Sequence, residues 1–259
     1  ADVDFFVYGD TRTGVEFHNK ICADMNEYID KNPSFQTLAL HVGDFVTYGS
    51  RESSWSKEWF STDAADVHKF MADVPLLSCV GNHEESGNLF DKYFPYPFVA
   101  KDGRYWSFDY GPAHIVFLDQ YSDYSENSPQ HAWLEKELST TDKKWKFLVF
   151  HEPGWSAGGY HKDNMDVRTN IQPLLVKYDV AAVFTGHNHY YARAEVEGVM
   201  HITTGGGGAP LYDPEMINKE LKVIKKAYHF CTVSINGNTL NFKAIDIDNK
   251  IIDSFTVSK

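Results

Sequence analysis

Apolar runs rich in Val, Phe and Leu alternate with amphipathic stretches through the first part of the chain. The runs at residues 4–10, 35–44 and 74–84 each finish in a glycine followed by polar residues. Short, nearly continuous apolar runs of this kind are typical of strands buried in a parallel sheet. Residues 14–32 and 52–73, which separate these runs, have the spaced apolar positions of amphipathic helices. The pattern therefore predicts the order β-α-β-α-β.

The rhythm changes in the middle of the chain. Residues 103–120 predict two strands joined by a Gly-Pro turn, which would form a hairpin. Residues 128–140 predict a helix, because they begin with Ser-Pro, a capping hydroxyl followed by a residue suited to the first turn. Residues 144–153 and 179–189 predict further strands, with a helix between them over 166–178. Strand and helix therefore alternate again after the hairpin.

The final stretch, residues 228–259, alternates apolar and polar positions and is interrupted by the turn sequences NGN and DNK. This period of two predicts a closing antiparallel meander. A length of 259 residues with 42% hydrophobic content is enough for a full core, so we expect residues 1–259 to form a single α/β domain. The sequence shows no internal repeat, low-complexity tract or linker.

Composition narrows the classes of partner. A net charge of −12 opposes lasting contact with a nucleic-acid backbone or with anionic lipid. A small anionic substrate would need local positive charge, which a bound metal can supply. There is no apolar run of about eighteen residues, and the start of the sequence lacks the basic and apolar segments of a signal peptide. We therefore expect no nucleic-acid partner and no membrane contact.

The cysteines give no sign of a cross-linked or thiolate-based site. Cys22, Cys79 and Cys231 are odd in number and have no paired spacing, and Cys79 lies inside an apolar run. Such a cysteine behaves as a small core residue. The sequence predicts neither a disulfide framework nor a cysteine metal site.

The polar residues that directly follow the predicted strands carry the chemistry. Ligands of parallel sheets bind beyond the carboxyl ends of the strands, so these positions are where a site is expected. Two carboxylates, one amide and three histidines occur there, a set that suits Mn, Fe, Zn or Ni. These six are too many donors for one ion, whereas two ions about 3.5–4 Å apart that share a carboxylate would use them and could clamp a phosphoryl group. The predicted donors are Asp10, Asp44, Asn82, His151, His187 and His189.

Taken singly, each donor has an ordinary explanation. Asp10 or Asp44 alone would be interpreted as a turn carboxylate, and His187 or His189 alone as a surface histidine. Their joint position at successive strand ends favours a two-metal hydrolase.

The segments GDTR, GDFVTYG, GNHE, VFHEP and GHNH occur in the order and approximate spacing of the calcineurin-like metallophosphatase superfamily, which the chain resembles over nearly its whole length. RYWSFDYGPAHIVFLD, SPQHAWLEKEL, GHNHYYAR and ITTGGGGAPLY narrow the resemblance to the purple acid phosphatase-like branch. The resemblance implies two sheets packed as a β-sandwich and flanked by helices, a four-layer α/β/β/α architecture. It also implies a cofactor of two divalent or mixed-valence transition metal ions, Mn, Fe or Zn.

The resemblance further implies a role for each donor. Asp10 and His189 would hold the first metal, and Asp44 would bridge both ions. The second metal would be held by Asn82, His151 and His187. A metal-bound hydroxide would attack phosphorus in line, while protonated His83 assists the leaving oxygen. Glu84 is either a neighbour that keeps His83 charged or a carboxylate facing solvent.

Two positions depart from the family pattern. Most members have a histidine where this chain has Arg12, and purple acid phosphatases have a metal-binding tyrosine where it has Thr47. Tyr48 follows one residue later, so the purple chromophore and a ferric ion stay open, and the first metal is expected to bind more weakly. Arg12 would contact a substrate phosphate or form a surface salt bridge. His161 matches the family's substrate-contacting loop histidines, with an exposed loop histidine as the alternative.

The glycine run at Gly205–Gly208 is not a nucleotide cradle, since no Lys-Ser/Thr and no helix pattern follow it. We expect it to let the backbone pass close beneath the metal site.

The predicted function is hydrolysis of a small phosphate monoester. A phosphodiesterase with the same metals is the nearest alternative, and a non-catalytic metal- or phosphate-binding module is the second. A nuclease is disfavoured by the acidic charge. Substrate, native metals and oligomeric state stay open, as does the compartment, for which the resemblance favours secretion or the periplasm. The family's usual N-terminal β-sandwich domain is not in this sequence, so the chain is expected to be a compact relative or a fragment.

Overall fold

The structure is a computed structural model that describes residues 2–84, 88–100 and 103–259. Its strands within those ranges form two mixed sheets. In chain order they are β1 (Val3–Tyr8), β2 (Ala39–His41), β3 (Leu76–Ser78), β4 (Trp106–Tyr110), β5 (Ala113–Phe117), β6 (Trp145–Val149), β7 (Ala182–Thr185), β8 (Tyr191–Val196), β9 (Val199–Thr204), β10 (Leu221–Lys225), β11 (His229–Asn236), β12 (Thr239–Asp246) and β13 (Ile251–Ser258).

The helices lie mainly between the strands of the parallel parts. In chain order they are α1 (Val15–Lys31), α2 (Glu52–Ser54), α3 (Ala65–Asp73), α4 (Asn88–Tyr93), α5 (Pro129–Thr140) and α6 (Gln172–Lys177). A 3-10 turn covers Pro33–Phe35, and π-helical turns cover Trp55–Trp59 and Val167–Ile171. None of the helices among the described residues combines the length and apolar character needed to cross a bilayer.

Strand order places the predicted donors at one end of the molecule. The six-stranded sheet has the order β13-β12-β11-β1-β2-β3, and the seven-stranded sheet has the order β10-β8-β9-β7-β6-β5-β4. β1, β2 and β3 run parallel, as do β5, β6, β7 and β9. The loops that follow β1, β2, β3, β6 and β7 carry the predicted donors, so these carboxyl ends define the site.

A shared apolar core joins the two sheets face to face. Phe5 on β1 and Phe147 on β6 meet edge-on, with ring centroids 5.7 Å apart. Helices cover the outer faces: α1 and α3 pack on the side of β1 that carries Phe6, and α5 and α6 pack on the side of β6 that carries Leu148. The helix-sheet-sheet-helix order confirms the predicted four-layer α/β/β/α sandwich.

Most predicted elements occur where the pattern indicated. β4 and β5 form the predicted hairpin, and β11 to β13 form the antiparallel meander. The Ser128 hydroxyl caps α5 by accepting a hydrogen bond from the backbone N–H of His131 at 3.2 Å. The predicted capping chemistry is therefore confirmed.

The single helix predicted over residues 52–73 was wrong. Its first half ends with the π-turn, which buries both Trp55 and Trp59, and α3 begins only at Ala65. Between them Ser61 forms a local turn, accepting the backbone N–H of Asp63 on its hydroxyl and that of Ala64 on its carbonyl. Short polar side chains offer the backbone this alternative to helix.

The pattern did not predict β8, β9 or β10. β8 and β9 form a hairpin around Glu197 and Gly198, both with positive φ angles of 50° and 85°. A two-residue turn of this kind between apolar-rich stretches is the sequence signal that could have identified them.

Cys22, Cys79 and Cys231 are buried and free.

Candidate metal centre

Two aspartates and one histidine form a buried cluster at the strand ends. Asp10 follows β1, Asp44 follows β2 and His151 follows β6, and their ligand atoms all lie within 4.8 Å of one another. All three residues are buried. The backbone fastens the first two loops together, because the Asp10 N–H donates to the Gly43 carbonyl at 3.0 Å.

The loops that carry these donors adopt an unusual backbone conformation. Asp10, Asp44 and His187 have φ angles of 57°, 58° and 66°. Non-glycine residues rarely adopt the left-handed region, and such residues concentrate at functional sites where the surrounding structure holds them. Three of the six predicted donors therefore share the same backbone strain.

Glycines beside the carboxylates make this approach possible. A Cβ placed on Gly81 would lie 2.2 Å from Asp44 Oδ1, and one placed on Gly186 would lie 2.1 Å from Asp10 Oδ2. Neither carboxylate could keep its position next to a larger residue. The glycines that open GNHE and GHNH are thus required by the packing of the donors.

Two histidines are oriented by backbone carbonyls. His151 Nδ1 lies 2.7 Å from the Val42 carbonyl oxygen, and His189 Nδ1 lies 2.8 Å from that of Pro210. A carbonyl only accepts, so each Nδ1 carries a hydrogen and each Nε2 is directed into the cluster. His151 Nε2 lies 3.3 Å from Asp44 Oδ1, and His189 Nε2 lies 3.5 Å from Asp10 Oδ1. Histidines that bind metals are commonly held in this way.

The remaining two predicted donors complete the cluster. Asn82 Oδ1 lies 3.1 Å from His151 Nε2 and 2.9 Å from His187 Nδ1. The backbone N–H of His187 donates to Asp10 Oδ1 at 2.9 Å. The structure therefore brings all six predicted donors together, from five separate strand ends.

The ionisation of the cluster reflects the burial of its carboxylates. Burial raises the pKa of Asp10 to about 7, although the charge of His151 opposes this. Burial would also raise the pKa of Asp44, but the charge and hydrogen bond of His151 outweigh it and hold that pKa below its usual value. The same pairing overcomes desolvation at His151 and raises its pKa to about 10. The ionised form of the buried carboxylates is therefore stabilised by nearby positive charge, here that of His151.

The other two histidines are held neutral. Burial, together with the charge of His151, lowers the pKa of His187 to about 2, and burial with the charge of Arg12 lowers that of His189 to about 3. Neutral imidazole is the form that binds metals. Buried carboxylates and neutral imidazoles are donors that a borderline transition metal binds. The residues present therefore fit a transition metal cofactor.

Arg12 faces the cluster, and the ion pair that it forms is with the buried carboxylate of Asp44. Its Nη2 donates toward His189 Nε2 at 3.4 Å, and its Nε lies 3.6 Å from Asp44 Oδ2. The side chain is only 16% exposed. The guanidinium therefore lies against two of the predicted metal donors, the Asp44 carboxylate and the His189 imidazole.

His83 lies at the edge of the cluster with one ring nitrogen fixed. Its Nδ1 donates to the Thr47 carbonyl oxygen at 2.7 Å, and its Nε2 lies 3.8 Å from Asp44 Oδ2. The side chain is 24% exposed. His83 thus presents Nε2 to the space between the carboxylate and solvent.

Glu84 is buried, so its interpretation as a solvent-facing carboxylate was wrong. Its carboxylate accepts backbone N–H groups of Asp44 at 2.9 Å, Phe45 at 3.0 Å and Val46 at 3.2 Å. These bonds hold the loop that positions Asp44. The sequence does not predict this positioning role, because nothing near Glu84 in the chain indicates which amides its carboxylate will bind.

Thr47 and Tyr48 are both turned to other partners. The Thr47 hydroxyl donates to Glu58 Oε2 at 2.9 Å. The Tyr48 side chain is 51% exposed. The Arg51 guanidinium lies over the Tyr48 ring, with its Cζ 4.0 Å from the ring centroid. A different tyrosine reaches the cluster: the Tyr212 ring stacks on His189 with centroids 4.1 Å apart. The sequence did not single out Tyr212.

His161 lies beside the cluster in a structured loop. Its ring centroid is 3.6 Å from that of His187, and its backbone carbonyl accepts the Ser156 hydroxyl at 2.8 Å. Burial lowers the pKa of His161, and the charge of His151 adds to this effect. The interpretation as an exposed loop histidine was therefore wrong.

The glycine run passes beneath the cluster, as predicted. A Cβ on Gly205 would lie 3.0 Å from Asp10 Oδ2, and the Gly207 N–H donates to the Gly9 carbonyl at 2.8 Å. Side chains here would push this segment, which follows β9, away from the donors.

Comparison with known proteins gives this geometry a family. The family model of calcineurin-like phosphoesterases matches residues 5–191, which include all six predicted donors. A purple acid phosphatase of Glycine max is 30% identical over 204 residues, covering 72% of this chain and 44% of that protein. The chain thus spans less than half of that relative's length.

Solved structures show the same fold. Purple acid phosphatase PPD1 from yellow lupin (Lupinus luteus) seeds superposes with a TM-score of 0.83 at 19% identity, covering 100% of this chain and 54% of that one. GAP50, described as the anchor in the inner membrane complex of Plasmodium, superposes with a TM-score of 0.79 at 18% identity, covering 99% of this chain and 89% of that one. With the motifs, the fold and the family match in agreement, the chain belongs to the calcineurin-like phosphoesterase family and is similar to its purple acid phosphatases.

Proposed function

We propose that this chain hydrolyses phosphate monoesters with two transition metal ions. The observation that carries the proposal is the buried cluster of Asp10, Asp44 and His151, which the other three donors adjoin from neighbouring strand ends. In this proposal Asp10 and His189 would hold the first ion and Asp44 would be shared by both. Asn82, His151 and His187 would hold the second.

The metals would supply Lewis acidity and activate water, and the chain's own residues would do the rest. A water molecule loses one proton to solvent, and its oxygen forms the new bond to phosphorus as the bond to the ester oxygen breaks. His83 delivers a proton from Nε2 to that leaving oxygen, while the Thr47 carbonyl fixes the opposite ring nitrogen. His161 and Arg12, which flank the donors, contact the phosphate oxygens.

Arg12 also favours a second candidate, a metal- or phosphate-binding module without turnover. The guanidinium lies where the family pattern has a histidine, against donors of the first ion. The fold does not by itself imply catalysis, because one fold can carry different functions.

The test compares esters on metal-stripped protein reloaded with Mn. We expect p-nitrophenyl phosphate to be hydrolysed faster than bis-p-nitrophenyl phosphate, with activity lost in Asp44→Asn. A preference for the diester would replace the monoesterase proposal with a phosphodiesterase. Metal-loaded protein that binds phosphate but turns over neither ester would favour the binding module.

A further inference from the structure

An exposed apolar surface adjoins the metal centre. We define it as the aromatic wall, formed by Tyr160 and Tyr212 together with Ile217, whose Cδ1 lies 3.4 Å from the position of a Cβ on Gly158. Tyr160 is 73% exposed, Ile217 is also exposed, and Tyr212 is half-buried. In a chain with a net charge of −12, large apolar side chains gathered at one surface mark a contact site.

The wall is built from two loops that are fastened to each other. The Glu215 N–H donates to the Ala157 carbonyl at 2.7 Å, and the Asn218 amide donates to the Ser156 carbonyl at 3.3 Å. Gly159 has a φ of 82°, and a Cβ there would lie 2.8 Å from the Asp213 carbonyl oxygen. The turn that presents Tyr160 is therefore held by close packing between the loops.

A continuous series of rings leads from the wall to the predicted metal donors. The Tyr160 ring centroid lies 4.7 Å from that of His161, which lies 3.6 Å from that of His187. A second route runs through Tyr212, whose ring lies 5.3 Å from Tyr160 and 4.1 Å from His189. A molecule held at the donors would thus meet the wall directly.

We propose that the aromatic wall binds the organic group of the substrate, and that this group is a planar aromatic ring. The inference rests on the proposed phosphate binding at the metal centre. With the phosphate at the donors, the ester oxygen would point outward, and among the described residues the wall offers an apolar surface in contact with His161 and His189. The exposed face of Tyr160 offers the offset stacking that aromatic rings prefer.

The test measures binding of two non-hydrolysable phosphonates to Mn-loaded protein by calorimetry. Phenylphosphonate and methylphosphonate share the anionic head and differ in the group that would meet the wall. We expect phenylphosphonate to bind about two- to tenfold more tightly, the range of one aromatic pair. Tyr160→Ala should bring the two dissociation constants together, whereas Tyr160→Phe should keep the preference.

Ile251→Ala is the matched control, because it removes an exposed apolar side chain on the distant strand β13. Equal affinities in the native chain, or a preference unchanged in Tyr160→Ala, would overturn the wall. Because binding needs no turnover, an inactive protein that still prefers phenylphosphonate would support the wall and contradict hydrolysis. Binding of neither phosphonate would overturn both proposals.

Discussion

Arg12 Nη2 lies 3.4 Å from His189 Nε2, the ring nitrogen that the Pro210 carbonyl turns toward the cluster. Its Nε lies 3.6 Å from Asp44 Oδ2. A guanidinium cannot be deprotonated in a protein. An ion that binds Asp10 and His189 as proposed would have to displace Arg12 from these donors, so we expect the two proposed metal positions to differ in affinity.

This relationship predicts the effect of removing the guanidinium. The ion at the proposed first position is expected to bind more weakly and therefore to be the second equivalent taken up. Arg12→Ala should lower the dissociation constant of this second equivalent by at least about tenfold, because one repelling charge at contact distance is lost. Arg12→His should lower it further by adding an imidazole ligand. Equilibrium dialysis with elemental analysis measures both steps. Arg51→Ala removes an equal charge from an exposed site and should leave both steps unchanged, and the same result for Arg12→Ala would contradict the account.

His83 predicts a dependence on the leaving group. His83→Ala should lower kcat by about 10²–10⁴-fold, the usual contribution of a general acid. The loss should be larger for phenyl phosphate than for p-nitrophenyl phosphate, because the weaker leaving group needs the proton more. The metal content should not change.

The measurement is kcat for both esters in the native chain, His83→Ala and His68→Ala. His68 is exposed and serves as the histidine control. An equal loss for both esters would assign His83 to charge stabilisation instead of proton delivery.

Gly186 predicts a steric defect confined to the metal centre. Gly186→Ala should place a methyl group 2.1 Å from the present position of Asp10 Oδ2, which forces the carboxylate away and weakens metal binding. Gly198→Ala is the control, because its Cβ would meet nothing within 4 Å and would only add the cost of its positive φ. Metal titration separates them, and equal affinities in the two variants would sink the steric argument.

Three buried histidines outside the centre predict loss of stability in acid. Burial lowers the pKa of His18 and His201 to about 3 and that of His229 to about 4. Each folded pKa lies below the unfolded value, so the unfolded chain binds more protons between them. Stability is fully present above the unfolded pKa of about 6.5 and falls as pH drops toward the folded value.

The test is urea unfolding of metal-free protein at pH 7 and pH 5. Each histidine should cost about 2 kcal/mol over that interval. His18→Phe keeps a ring on Trp59, whose centroid lies 5.0 Å from that of His18, and should reduce the pH effect by about that amount. His68→Ala should leave it unchanged. A pH effect as large in His18→Phe as in the native chain would show that His18 is not held neutral.

Some of the site could be predicted because its determinants are local. Asp10 and Asp44 follow short apolar runs and sit beside glycines, and parallel strand ends must meet at one edge of a sheet. Periodicity and glycine position are both visible in the sequence, and together they predict these two donors.

Other parts of the site depend on contacts between distant segments. Tyr212 stacks on His189, and Glu84 binds the amides around Asp44, through loops whose paths no local pattern fixes. The break in the helix between Trp59 and α3 likewise depends on the tertiary packing of Trp55 and Trp59 in a shared apolar cluster. Side-chain partners of this kind require the tertiary structure.

The proposed metal centre makes hydrolysis of phosphate monoesters depend on bound metal. The most direct measurement is the initial rate of p-nitrophenyl phosphate hydrolysis as Mn is titrated into metal-stripped protein, with His151→Ala in parallel. We expect the rate to rise with added metal, to level off near two equivalents and to be nearly absent in His151→Ala. A rate that does not depend on the metal, or no turnover by protein that has bound it, would contradict a metal-dependent phosphatase.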